Sequence, residues 1–241
     1  MKQMADYLNL KNLVQNEIKK NTSMIKASRN LNYKIKNGTA KYSDAVKFSR
    51  EIGKVTGNAL EFHTDEIDDN SLEEYAITVL VPTYRAMQKS TLQVSKQIQK
   101  IYNANAKFGF NPVEVDPDEE RLNNIVQRFR DASTFKDVSF LLGSDVAQNI
   151  SRAAVTDTLR KNTEFMNAAG VETYVTRSGV GCCAWCDSMT GTYSIDDIPN
   201  DFWRVHKDCI CEFDYKTKNA HTKITFSTSD DGTISRNVQN V

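Results

Sequence analysis

The sequence contains few residues that interrupt a chain and few that could cross-link it. Its 241 residues include four prolines and ten glycines, too few to punctuate the first two thirds into anything but successive helices. No stretch approaches the roughly 18 uninterrupted apolar residues that span a bilayer, and the start "MKQMADYLNL" lacks the basic-then-apolar layout of a secretory leader. A soluble protein of a reducing cytoplasm, with no membrane partner, is expected. Cysteine is absent from the first three quarters of the chain, and all five cysteines fall in one window, "GCCAWC" and "HKDCIC". An odd number of clustered thiols is no disulfide framework, so metal ligation is the default reading.

Net charge is also lacking: 31 basic residues balance 31 acidic ones. The balance hides segregation. Residues 1–60 hold twelve Lys or Arg against four Asp or Glu, Glu61 to Glu74 holds seven acids and no base, and Tyr75 to Pro112 holds five bases and no acid. Solvated helix faces that meet in the fold explain this pattern, and a surface facing a polyanion is the sharper alternative.

With so little punctuation, the first two thirds reads as successive helices. A polar, Lys-rich helix is expected near residues 4–29. Ser43 is placed to cap a second, with Ala45, Phe48, Ile52 and Val55 on one side, and "HTDEIDDNS" reads as an acidic loop. Ser71 and Glu74 fit a capping box for a long helix that Pro82 should kink or divide. In "DPDEE", Asp116 reads as N-cap, Pro117 as the first helical residue and Glu119 as its capping-box partner. Ser144 is placed to cap a final helix that Gly170 ends in the left-handed conformation. Beyond Gly170 the short β-branched or aromatic segments "VETYVTR", "GTYSI", "CEFDY" and "KITFST" read as strands, and the tail "SDDGTISRNVQNV" as partly loose. The fold class expected is α+β: a mainly helical N-terminal two thirds and a small, zinc-stabilised, β-rich C-terminal region. The division expected is residues 1–115 and 116–241, the second comprising helices over 116–169 and a sheet with its Cys/His site over 171–228.

Cys183 and Cys186 have the spacing with which one tight turn presents two thiolates to a tetrahedral ion, and His206, Cys209 and Cys211 supply the return donors. Cys183, Cys186 and Cys209 are the favoured ligands, with His206 or Cys211 as the fourth; Cys182 is a further candidate. Strand alternation would set Cys209 and Cys211 on one side. A thioredoxin-like dithiol fits poorly, because "MTGTY" after Cys186 reads as turn and strand rather than helix. The zinc-deaminase pattern fails for want of a His-x-Glu before the cysteines. Surplus thiolates mark a closed, structural zinc rather than a catalytic one.

The run Arg152 to Tyr215 resembles the C-terminal part of the Mu F-like minor head proteins of tailed bacteriophages. The matching features are Arg152 in a helix, the strand Val171 to Arg177, Cys183 with Cys186, Gly191, and His206 with Cys209 and Cys211. Many members carry "HPNCRC" where this chain has "HKDCIC". The resemblance implies a non-enzymatic minor capsid protein of the phage head. Such a protein associates with the portal, and with the major capsid or scaffold protein, during head morphogenesis and DNA packaging or delivery. It is assembled in the bacterial host cytoplasm and retained in the virion. Any contact with DNA would be non-specific. Two other classes stay open: a metal-dependent nuclease or toxin-like enzyme using His206, and a DNA-binding zinc module, whose finger loop is acidic before Arg204.

Overall fold

Asn21 divides what the polarity pattern reads as one N-terminal helix. In the computed structural model, which describes residues 2–179, 183–206, 211–217, 222–228 and 234–240, α1 spans Lys2–Lys20 and α2 spans Thr22–Lys36. Asn21 is extended, and its side-chain oxygen accepts from the N–H groups of Ser23 and Met24, which satisfies orphan donors of a new helix. The single helix over 4–29 is therefore two. Next, α3 spans Tyr42–Phe62 and starts ahead of Ser43, because Asp44 accepts from the Lys41 N–H at 3.0 Å and fixes the first turn. Ala45, Phe48, Ile52 and Val55 are buried as expected.

The acidic loop folds into two 3-10 turns, Thr64–Glu66 and Asp69–Ser71, and leads into α4, Leu72–Tyr75. The expected capping box is not formed. Ser71 instead spends its hydroxyl on Tyr7 Oη, 2.6 Å away, and on the Asp68 carbonyl. Pro82 does not break the path. A π-helical turn, Ala76–Leu80, joins α4 to α5, Val81–Asn105. Proline lacks an N–H and crowds the carbonyl four residues back, and the wider turn absorbs both defects. Thr83 Oγ1 then donates to the Val79 carbonyl at 2.6 Å.

The following helix, α6, spans Glu119–Asp131 and starts two residues later than "DPDEE" suggests. Asp118 is its N-cap and accepts from the Arg121 N–H at 2.9 Å. Glu119 does not reach back to a cap, since both its oxygens receive Arg85 of α5, each at 2.7 Å. A short α7, Phe135–Val138, and a 3-10 turn, Ser139–Leu142, precede α8, Ser144–Ala168, whose N-cap is Gly143 and not Ser144. The helix ends as the sequence suggests: Gly170 has φ +81°, and the Val171 N–H returns to the Met166 carbonyl at 3.0 Å.

The long helices α3, α5 and α8 pack on one another, α3 against α8 most closely. A three-stranded antiparallel sheet of order β2-β1-β3 lies against α3 and α8, with β1 Thr173–Ser178, β2 Gly191–Ser194 and β3 Glu212–Thr217. One buried cluster runs from Tyr7 to Tyr215, across the position 115/116. The molecule is thus mainly helical with a small C-terminal sheet. A polar junction joins the two parts: Tyr42 Oη donates to Gln99 Oε1 at 2.5 Å, Gln99 Nε2 donates to Tyr215 Oη at 2.6 Å, and Tyr102 Oη donates to Asp214 at 2.8 Å. Burial pushes the Tyr42 phenol well above its ordinary pKa and keeps it a donor.

Of the tail, residues 229–233 and 241 lie outside the described residues. Strand β4, Thr222–Thr228, pairs antiparallel with β5, Ile234–Asn240, from Thr222 opposite Asn240 to Thr228 opposite Ile234.

Candidate metal centre

The period of β1 sets up the site. Alternation buries Thr173, Val175 and Arg177 and turns Tyr174 and Thr176 outward. In the ladder Arg177 stands opposite Gly191 on β2 and Phe213 on β3. A guanidinium therefore occupies a core position. Gly191 is required there, since its φ is +144° and an added Cβ would lie 3.0 Å from the Tyr193 hydroxyl.

Beyond β1 the chain makes a tight turn. Cys183 caps the one-turn helix α9, Ala184–Asp187, and its Sγ accepts from the Cys186 N–H at 3.5 Å. The Asp187 N–H closes the turn on the Cys183 carbonyl. This geometry sets both sulfurs on one side, as the two-residue spacing predicts. The second arm arrives through residues 198–205, with Phe202 buried and Trp203 stacked on Phe213. It places His206 Nε2 at 3.2 Å from Cys183 Sγ and 2.8 Å from Cys186 Sγ.

Cys183, Cys186 and His206 thus form a group whose donor atoms all lie within 4.8 Å of one another and which could hold a metal ion. Two thiols and an imidazole are the donor chemistry of zinc and similar borderline ions. The Cys183 thiol, which is exposed, is held below its usual pKa chiefly by the Cys186 N–H, with help from the Cys186 side chain and His206. Cys211 is fully buried beside Cys186, with Trp185 against both, but is not one of the three mutually close donors. Cys182 and Cys209 lie outside the described residues.

Two buried arginines grip this site. Arg177 donates through Nη2 to Cys186 Sγ at 3.2 Å and through Nη1 to the Phe202 carbonyl at 2.6 Å. Its guanidinium also lies over the rings of Trp185 and Phe213, at 5.1 and 5.2 Å from their centroids. Burial alone would lower its pKa, but the sulfurs of Cys211 and Cys186 outweigh that, and the group stays charged. Arg152, on α8, donates to the Cys211 carbonyl at 3.1 Å. Sequence reading passed over Arg177, although its place in the inward phase of a strand was the available signal.

A cleft of about 670 Å³ opens beside the His206 arm, between α8 and residues 198–205. Its arginines, Arg121, Arg160 and Arg204, are each paired with an aspartate three residues earlier, at 3.3, 3.4 and 3.8 Å, so they are already matched in charge. Among the described residues no helix is long and apolar enough to cross a membrane. Comparison of the chain with protein-family models, with curated proteins and with solved structures finds no match.

Proposed function

We propose that the chain is a structural, non-enzymatic minor head protein of the Mu F-like kind, with a zinc ion holding its C-terminal sheet together. The observation that carries this reading is convergence. Arg152, strand β1 with Arg177, the Cys183–Cys186 turn, Gly191, His206 and Cys211 are spread over some sixty residues, yet they meet around one site. Together with Cys209, which lies outside the described residues, these are the residues on which the resemblance rests.

Zinc suits the site because thiolates and imidazole are its preferred donors, and a closed set of protein ligands leaves it structural. Cys183, Cys186 and His206 would hold it, with a further cysteine completing the shell. The residues around it do the rest. Arg177 and Arg152 fix the two arms, and the Cys186 N–H orients Cys183. Bound zinc would supply folding free energy rather than a reactive water.

The helical region would offer the surface for a portal, major capsid or scaffold protein, through the charged rims of α1 and α2 and their exposed Leu8, Leu13, Ile25 and Tyr33. Its lysines would meet DNA through phosphates alone. Co-expression with the portal protein of the same phage tests the reading, the expected result being a complex that survives purification with zinc retained. Nuclease activity that disappears in a folded, zinc-loaded His206→Ala variant would replace this reading with an enzymatic one.

A further inference from the structure

Charge balance around Arg177 specifies more of the site than its distances do. A divalent ion held by two thiolates and a neutral imidazole carries no net charge. A fully buried guanidinium beside such a neutral centre would be an uncompensated charge in a dry interior. A third thiolate leaves the centre with one negative charge, which one guanidinium cancels. Arg177 reaches Cys186 Sγ at 3.2 Å and the Phe202 carbonyl at 2.6 Å, and of these two acceptors only the sulfur can carry a negative charge.

Resting on the reading of the site as a metal centre, the geometry points to Arg177 as the buried counter-charge of a three-thiolate, one-imidazole centre whose third sulfur is Cys211. Three observations converge on this. Strand phase and register place Arg177 inward opposite Phe213, two residues after the buried Cys211 that leads into β3. Cys211 and Cys186 are both fully buried and packed together. Arg177 and Arg152 hold the thiolate side and the backbone side of the same pocket, through Cys186 Sγ and the Cys211 carbonyl. Arg177 is a positioning residue: it holds sulfur ligands and the Phe202 carbonyl, and the ion itself stays with its four donors.

The test uses the full chain loaded with cobalt(II), whose thiolate-to-metal charge-transfer band grows with the number of bound sulfurs, together with competition for zinc by a chelator. Wild type should show the band of three thiolates, and Cys211→Ser should lose about a third of it. Arg177→Met should weaken zinc binding by the roughly 10–100-fold typical of groups that orient metal ligands. Arg177→Lys, which keeps the charge but loses the forked geometry, should recover most of that loss. Far-ultraviolet circular dichroism of each variant without metal reports the helices separately. Should Arg177→Met fail to fold, wild type and Arg177→Lys carry the comparison, and zinc affinity within about tenfold supports the assignment. A full band in Cys211→Ser, or unchanged zinc affinity in a folded Arg177→Met, overturns the inference while leaving the metal centre standing. A wild type that takes up neither ion overturns both.

Discussion

A Cβ built on Gly57 would lie 2.3 Å from the Ser144 Cα and 2.5 Å from its nitrogen, and one on Gly53 would lie 2.5 Å from the Gln148 Cα. These are backbone atoms, which cannot swing aside as a flexible side chain can. The two glycines, one helical turn apart, are what lets α3 approach α8. Gly57→Ala should therefore destabilise the fold by about 1–3 kcal/mol, the usual range for overpacking, and urea denaturation would read it as a lower midpoint with unchanged slope. At this scale the sequence was partly legible. The two-residue spacing of Cys183 and Cys186 was enough to predict that they meet, whereas His206 stood level with Cys211 as a fourth donor beside Cys209. Arg177 was not foreseen because an isolated arginine reads as solvent-exposed, and only the phase of Thr173, Val175 and Arg177 reveals that it faces inward.

Helices reveal their existence more readily than their ends. The apolar periodicity of α3, α6 and α8 survives in the buried sets Ala45–Phe48–Ile52, Leu122–Ile125–Phe129 and Ile150–Ala153–Leu159. Their starts move by one or two residues, and two expected capping side chains are recruited elsewhere, Ser71 before α4 by Tyr7 and Glu119 of α6 by Arg85. Such partners are distant in sequence, and no local pattern contains them. One helical residue also gives a pH dependence. Asp157 on α8 is held above the usual carboxylate range, because burial outweighs the nearby Arg160. The folded state then binds more protons than the unfolded chain between the ordinary carboxylate pKa and the raised one. Stability should be fullest below that window and fall as pH rises through it. Asp157→Asn should remove this slope, so its stability relative to wild type should be greater at pH 7 than at pH 4 in parallel denaturant titrations.

At the scale of the whole molecule, the candidate metal centre and the helical core are connected through the Tyr42–Gln99–Tyr215 bridge and the contacts of β3 with α3 and α8. Structural zinc contributes apparent folding free energy on the order of 10 kcal/mol where its ligands lie. Chelation, or Cys183→Ser, should free the amides of β1 to β3 and of both ligand arms to hydrogen exchange while α3, α5 and α8 keep most of their protection. Loss of helical protection in the same step would mean that the site holds the entire core. The α3–α8 crossing has one further consequence, and it concerns synthesis. More than eighty residues separate the end of α3 from the start of α8, and translation adds roughly 5–20 residues per second. For some seconds the nascent chain must carry α3 with its glycine-notched face uncovered. A chaperone, or a transient partner of that face, has its opportunity in this interval and loses it once α8 emerges.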